Sequence, residues 1–351
     1  MVRNGRLTHR IVLALVACAL SACAALPWPS GTARLADTRA EDGLLDLRGV
    51  VHVHTRVSHD SDGSIGEVID AAHGAGISWV AFTEHTRHAQ VLAAEGEIEG
   101  VMLIPGWEIP TAGGSILALG VRDRTGLPRE PRALVDAIHA RGGAAFVGHL
   151  ERSALAQSEL YAAAAPDGIE IANLHANANE VRFRLTLGEM LLPAPLALRS
   201  LLRTPRANFA LWAQLPGARS IVGGVDAHAK FRALGPLGGT FDRYRDLFRL
   251  LTTHVLVSER STPAILAALR EGRSYVAFEG MGAVDRFEVS RQADGFRLRA
   301  PREARLVLVC AGVVESEALA VEAVLPAPEH TDRCHAEAWL GDRLWIATSR
   351  L

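Results

Sequence analysis

Histidines and acidic residues stand in short groups directly after runs of apolar residues in this chain. The groups are His52-Val53-His54, Thr83-Glu84-His85, Gly106-Trp107-Glu108, Gly148-His149 and Asp226-Ala227-His228. Imidazole nitrogens and carboxylate oxygens are ligands of zinc, manganese and iron, and a carboxylate can bridge two ions. A buried crowd of such groups is costly unless a cation compensates its charge. The residues therefore predict a metal cluster.

The apolar runs before these groups predict the strands of an α/β domain. Predicted strands cover residues 49–54, 78–82, 101–105, 115–120, 144–148, 168–171 and 220–224, with helices between them such as 65–75 and 132–141. Alternation along the first strand is expected to direct His52 and His54 to the same side. The carboxyl ends of the strands meet on one face of an α/β barrel, so we expect the groups to lie together there.

The ordered motifs resemble the polymerase-and-histidinol-phosphatase (PHP) superfamily of metal-dependent phosphoesterases, over about residues 45–278. Each motif is weak by itself, but the combination is specific. The resemblance implies a distorted (β/α)7-type barrel that holds divalent Zn, Mn or Fe. The implied metal ligands are His52, His54, Asp60, His85, Glu108, His149, Asp226 and His228.

Two positions depart from the family pattern. Spacing favours Asp60 as the ligand that follows the first histidine pair, with His59 as the alternative. Ser115 stands where family members often carry a histidine, and a hydroxyl is a poor ligand for these metals. We therefore expect two strongly held ions, with a third as the alternative. His175 is a candidate replacement, with a supporting or structural role equally open.

The resemblance implies a metal-dependent phosphoesterase or phosphatase that uses metal-activated water on a small phosphorylated substrate. Hydrolysis of an amide or a carboxylic ester is the alternative reaction, and a non-catalytic metal-containing binding lipoprotein is the alternative class. Candidate phosphate contacts are Arg56, Arg87, Arg152 and Lys230. The formal net charge of −2 gives no electrostatic support for a nucleic-acid partner.

The amino terminus has the pattern of a bacterial export signal, with a basic leader, an apolar run over residues 11–20 and small residues after it. Leu20-Ser21-Ala22-Cys23 resembles a lipobox, which predicts a signal peptide over residues 1–22 and a lipid-modified Cys23. Residues 23–44 are predicted to tether the enzyme to the membrane, facing the periplasm. A conventional signal peptide that happens to contain a cysteine is the alternative.

The sequence changes character after residue 279. Short runs typical of strands, among them residues 296–299 and 305–309, are separated by Gly, Pro and Asp. They predict a small antiparallel β-sandwich-like domain over residues 280–351, after a barrel over residues 45–279. Cys310 and Cys334 are the two cysteines left outside the predicted signal. Export to an oxidising compartment favours a disulfide between them, with two buried thiols as the alternative.

Overall fold

A computed structural model describes residues 37–39, 43–85, 94–112, 114–150, 158–176, 202–215, 217–230 and 242–351. The predicted signal peptide, Cys23 and most of the predicted tether lie outside these residues, as do Arg87 and Arg152. Within the described ranges, no helix is long and apolar enough to span a membrane.

The strands are numbered in chain order. They are β1 (Thr38–Arg39), β2 (Leu45–Val53), β3 (Trp79–Phe82), β4 (Gly96–Ile98), β5 (Val101–Ile104), β6 (Gly106–Thr111), β7 (Gly114–Leu119), β8 (Ala144–Gly148), β9 (Gly168–Asn173), β10 (Ser220–Ala227), β11 (Thr252–Val257), β12 (Ser274–Ala277), β13 (Glu288–Arg291), β14 (Gly295–Cys310), β15 (Val313–Pro326), β16 (Cys334–Leu340) and β17 (Arg343–Thr348).

The helices fill the intervals between the strands. They are α1 (Ile65–Ala75), α2 (Pro131–His139), α3 (Ser158–Ala164), α4 (Arg206–Trp212), α5 (Tyr244–Leu247) and α6 (Thr262–Glu271). The prediction for α1 is confirmed at both ends. The Ser64 side chain accepts from the Glu67 backbone N–H, and Glu67 accepts from the Ser64 backbone N–H. Gly76 ends the helix at φ 68°, a left-handed conformation that glycine adopts without strain.

The first strands pair in a closed ring, which confirms the mixed α/β barrel-like fold. Strand β2 pairs in parallel with β3 and β10, β10 with β9, and β9 with β8. Strand β7 is antiparallel to both β6 and β8. A parallel bridge between Glu84 and Trp107 joins β3 to β6 and completes the ring. The carboxyl ends of β2, β3, β8, β9 and β10 therefore share one face.

Apolar side chains fill the barrel and the layer between its strands and helices. Trp79, Trp107 and Phe146 are among the largest fully buried side chains. The Trp79 indole donates to the Leu47 carbonyl oxygen at 3.1 Å. The same ring requires glycine at position 49 on the neighbouring strand, because a Cβ there would overlap the indole. The buried strands follow the near-continuous apolar pattern expected where both faces of a sheet are covered.

The carboxyl-terminal strands form the antiparallel arrangement that the sequence predicts, with one correction. Residues 296–299 and 305–309, predicted as two strands, belong to the single long strand β14. A register shift against β15 between Arg299 and Ala304 lets the chain continue through the charged residues between them. Strand β12 pairs with β17, so this sheet is continuous with the barrel, and the boundary at residue 280 stays a prediction.

The predicted disulfide between Cys310 and Cys334 is confirmed. The two residues lie opposite each other where β14 pairs with β16, and both are buried. The bond closes a loop of sequence separation 24 that contains all of β15.

Replacing both cysteines, as in Cys310→Ala/Cys334→Ala, should lower the free energy of unfolding by about 3 kcal/mol, because the bond restricts the unfolded chain. Urea unfolding of oxidised wild type, reduced wild type and the double variant measures the loss. Reduced wild type is the control and should resemble the double variant. Equal midpoints for all three samples would contradict the prediction.

Candidate metal centre

All eight predicted ligands lie together at the face formed by the carboxyl ends of the strands. They fall into three overlapping groups, and within each group one ligand atom from every residue lies within 4.8 Å of the others. The groups are His54, Asp60, His85 and His228; His52, His54 and Asp226; and His52, Glu108 and His149. The sequence-predicted set is thus brought together in full.

Two carboxylates occupy the middle of this cluster. Glu108 Oε2 lies 3.1 Å from Nε2 of both His52 and His85, and its Oε1 lies 3.2 Å from Nε2 of His149. Asp226 Oδ1 lies 3.4 Å from Nε2 of His52. Each carboxylate therefore faces imidazoles from several strands, which is the arrangement a bridging ligand requires.

Asp60, and not His59, joins the cluster. Asp60 Oδ2 lies 3.8 Å from Nε2 of His85 and 3.6 Å from Nε2 of His228. His59 is exposed, and its Nδ1 lies 3.2 Å from the backbone oxygen of His85. The geometry agrees with the spacing argument that favoured the aspartate.

The donor atoms fit divalent cations. His54 Nε2 and Asp60 Oδ1 are buried, and neither has a hydrogen-bond partner among the residues that the structure describes. Leaving such atoms unpaired costs free energy, which a bound cation would offset. Nitrogen and carboxylate donors without thiolates suit zinc, manganese or iron.

The protonation states in this site follow from burial and neighbouring charge. Burial lowers the pKa of His54 to about 3, so this imidazole is neutral at physiological pH and can donate a lone pair. Burial also acts to lower the pKa of His52, but the carboxylates of Glu170, Asp226 and Glu108 outweigh it and raise the pKa well above the ordinary value. The pKa of Glu108 and of Asp226 is held well below the usual range, against the effect of burial, by the surrounding histidines.

The strand ends deliver the ligands through irregular backbone. His52 and His54 face the same side, as expected, but the backbone between them is not a regular strand. The pairing of β2 with β3 shifts register between Val51 and Val53, and His52 has φ 68°. His149 at φ 52° and Asp226 at φ 48° share this left-handed conformation, which is strained for residues other than glycine. Register shifts at His52 and Asp226, rather than regular pleating, turn these two side chains toward the centre.

Glu170 on β9 is a functional residue that sequence reasoning missed. Its Oε1 lies 2.5 Å from Nδ1 of His52, and its Oε2 accepts from the His149 backbone N–H at 2.9 Å. A carboxylate that holds the distal nitrogen of a ligand histidine fixes the tautomer and orients the ring. Gly224 makes room for it, because a Cβ there would overlap the Glu170 carboxylate. An acidic residue within an otherwise apolar buried strand was the available signal.

Asn173 was also missed. Its side-chain nitrogen lies 3.1 Å from Glu170 Oε2 and 3.2 Å from Asp226 Oδ2, and it can donate to both carboxylates. It therefore connects the support of His52 with one of the two central acids. The polar residue at the carboxyl end of β9 follows the same positional rule as the predicted ligands.

Glu84, the residue before His85, orients the ligand-bearing backbone through hydrogen bonds. Its carboxylate accepts from the Thr55 backbone N–H and from the Ser58 hydroxyl at 2.5 Å. The Ser58 oxygen in turn accepts from the His85 backbone N–H at 2.6 Å. Tyr244, which the sequence did not indicate, donates its hydroxyl to the His54 carbonyl oxygen at 2.6 Å.

Ser115 lies beside the cluster but in none of its three groups. Because β7 runs antiparallel to its neighbours, its amino end reaches the ligand face, where Ser115 is opposite Gly148. The Ser115 hydroxyl oxygen is buried without a hydrogen-bond partner within the described ranges. His175 does not take its position. It lies instead with His228 and Asp242 in a fourth group of potential ligands, which shares His228 with the cluster.

Metal binding at pH 7 should release at least one proton, because His52 is protonated in the metal-free protein and must lose a proton to bind an ion. Apparent affinity should rise with pH until the pH exceeds the raised pKa of His52. Glu170→Gln removes the largest of the interactions that raise the pKa of His52, so it should reduce proton release at pH 7. The lost orientation of the His52 ring should weaken metal binding about 10- to 100-fold.

Zinc titration calorimetry in buffers of different ionisation enthalpy measures the protons released. Glu97→Gln is the matched control, because this exposed carboxylate pairs with Arg260 away from the cluster. Proton release that is zero in wild type, or unchanged in Glu170→Gln, would show that Glu170 does not set the protonation of His52.

A match to a protein-family model bears on this centre. No curated protein gives a significant match. The chain is similar to a crystal structure from Bacteroides vulgatus ATCC 8482, a two-domain protein containing a predicted PHP-like metal-dependent phosphoesterase. The identity is 18%, the coverage is 90% of this chain and 100% of that chain, and the TM-score is 0.41. The family model of the PHP domain matches residues 51–169. This segment, which holds six of the eight predicted ligands, is therefore similar to the PHP domain family.

Proposed function

We propose that this protein is a metal-dependent phosphoesterase that hydrolyses a small phosphorylated molecule. The observation that carries the proposal is the convergence of Glu108 and Asp226 on imidazoles from separate strands, in a chain whose residues 51–169 match the PHP family model. Divalent ions in such a site supply water activation near neutral pH and neutralise charge on the substrate oxygens.

The protein's own residues supply positioning and charge. His54 and Asp226 lie 3.3 Å apart through Nε2 and Oδ1, with the imidazole neutral and the carboxylate ionised. Glu170 holds the His52 ring, and the Tyr244 hydroxyl holds the backbone carbonyl of His54. These contacts keep the donors in place before substrate arrives, so little reorganisation is needed during reaction.

Two of the candidate phosphate contacts lie in the described part of the chain. Arg56 is exposed. Lys230 follows His228 by two residues, and its Nζ lies 4.0 Å from Asp62 Oδ1 with about half of the side chain exposed (48%). A half-exposed ammonium beside the cluster has the mobility to contact a phosphoryl oxygen, so we assign Lys230 that role in the proposal.

Asp226→Asn and His52→Ala should each lower metal content and reduce phosphoester hydrolysis by at least about 100-fold, because each removes a donor shared by the cluster. Elemental analysis and a screen of phosphomonoesters, phosphodiesters and carboxylic esters measure the two effects. Asp136→Asn and His73→Ala are matched controls. Asp136 pairs with Arg132 on the surface, and His73, on α1, contacts the backbone carbonyl oxygen of Glu99.

Folded wild type without stoichiometric metal would refute the metal site. Full metal occupancy without turnover of any phosphoester would refute the phosphoesterase and leave the binding-lipoprotein alternative. Turnover restricted to carboxylic esters would support the alternative hydrolase.

We also propose that the enzyme is exported and attached to the membrane through lipid on Cys23. The support is the basic leader, the apolar run and the lipobox-like Leu20-Ser21-Ala22-Cys23. Cys23→Ala should abolish lipid labelling and release the protein from the membrane fraction. Metabolic labelling with a fatty acid measures this, with Cys18→Ala as the matched control. Labelling of Cys23→Ala at the wild-type level would refute the anchor.

A further inference from the structure

A cavity that shares no residue with the metal centre lies between α4 and the carboxyl-terminal strands. Its volume is about 260 Å³. We call it the α4 pocket and define it by Arg206, Phe209, Trp212, Arg333, Trp339 and Arg350. None of these residues belongs to a group of potential metal ligands. The pocket is therefore distinct from the groups of potential metal ligands.

Aromatic rings held in fixed orientations form its walls. The Trp339 indole donates to Glu337 at 2.8 Å, and the Trp212 indole donates to the Ala218 carbonyl oxygen at 2.7 Å. The Phe209 ring stacks on His335 with centroids 5.3 Å apart and an interplanar angle of 8°. Rings fixed in this way offer flat apolar surface at low entropic cost to a bound ring.

Three arginine side chains, Arg206, Arg333 and Arg350, line the pocket beside these rings. Arg206 and Arg333 are exposed, and neither forms an ion pair within the part of the chain that the structure describes. Glu337 is the acidic side chain among the lining residues, and its two oxygens already contact His335 and Trp339. Burial, followed by the nearby Arg333, lowers the pKa of Arg350 to about 10, against the opposing effect of Asp332.

The guanidinium groups lie close to the aromatic walls. The Arg206 Cζ is 5.7 Å from the centroid of Trp339, and the Arg350 Cζ is 5.0 Å from that of Trp212. Arg333 Nη2 donates to the Ala213 carbonyl oxygen, so an anionic substituent of a planar ligand would meet its other guanidinium nitrogens and Arg206. Guanidinium binds carboxylate and phosphate groups with paired hydrogen bonds, and small-molecule sites combine apolar walls with a few such polar groups.

We propose that the α4 pocket binds a small planar aromatic anion, with its ring against Phe209 and Trp339 and its carboxylate or phosphate group at Arg206 and Arg333. The volume restricts the ligand to about one or two rings. Binding should be independent of the metal centre, because the two sites share no residue.

Calorimetric titration of the full chain with four single-ring probes tests the proposal. Benzoate and phenylphosphonate carry the ring and the charge, benzyl alcohol lacks the charge, and cyclohexanecarboxylate lacks the aromatic ring. At least one aromatic anion should bind at a stoichiometry of one, at least about tenfold more tightly than the two control probes. The tighter of benzoate and phenylphosphonate identifies the anionic group. Equal binding of all four probes, or of none at millimolar concentration, would overturn the proposal.

Variants locate the binding. Arg206→Met and Arg333→Met keep the aliphatic stem and should each weaken aromatic-anion binding about tenfold or more. Arg302→Met is the matched control, because Arg302 lies over Trp345 outside the pocket and its loss should leave the affinity unchanged. His52→Ala should also leave it unchanged, which separates this site from phosphonate bound at the metal centre. Wild-type affinity in both pocket variants, confirmed as folded by near-ultraviolet circular dichroism, would overturn the assignment.

Discussion

The concentration of ionisable groups at one end of the barrel is the constraint that the rest of the structure serves. Glu108 and Asp226 are buried together with His52, His54 and His149, where the low local dielectric makes every unpaired charge expensive. Mutual pairing stabilises part of this set, since the histidines hold the carboxylates ionised. The left-handed backbone at His52 and Asp226 adds a further local cost, which the surrounding strands must offset. A bound cation is the element that would balance the remaining unpaired donor atoms.

A second buried polar network helps the barrel to tolerate that cost. It lies at the amino end of strand β2, whose carboxyl end carries the first ligands. There, Asp46 contacts His254 at 2.8 Å and accepts from the Tyr275 hydroxyl at 2.5 Å, while Arg48 pairs with Glu279 at 2.6 Å. Burial acts to lower the pKa of His254, but Asp46 and Glu279 raise it overall, so each charge in this network has an opposite partner. The network joins β2 to β11 and β12, and thereby to the carboxyl-terminal sheet.

Much of this organisation was predictable from local pattern, and what escaped prediction depends on contacts between distant residues. The apolar runs and the polar groups after them predicted the strands and their common face, because both follow from side-chain periodicity and barrel geometry. The bulge at His52 did not follow, since register depends on the partner strand. Glu170 was missed because its contact with His52 spans a sequence separation of 118, and nothing near it in sequence indicates that ring. The union of two predicted strands into β14 likewise depends on pairing with β15.

The carboxyl-terminal sheet contributes more than a covering for the barrel. Its strands β14 and β16 are paired and are also linked by the buried disulfide. The same strands supply one wall of the α4 pocket. The opposite wall is α4, which packs on the barrel strand β9 through Asn208, whose side chain donates to the Ile171 carbonyl oxygen at 2.8 Å. Strand β9 also carries Glu170 and Asn173, which support the metal ligands. One barrel strand thus contacts both the candidate metal centre and the helix that bounds the α4 pocket.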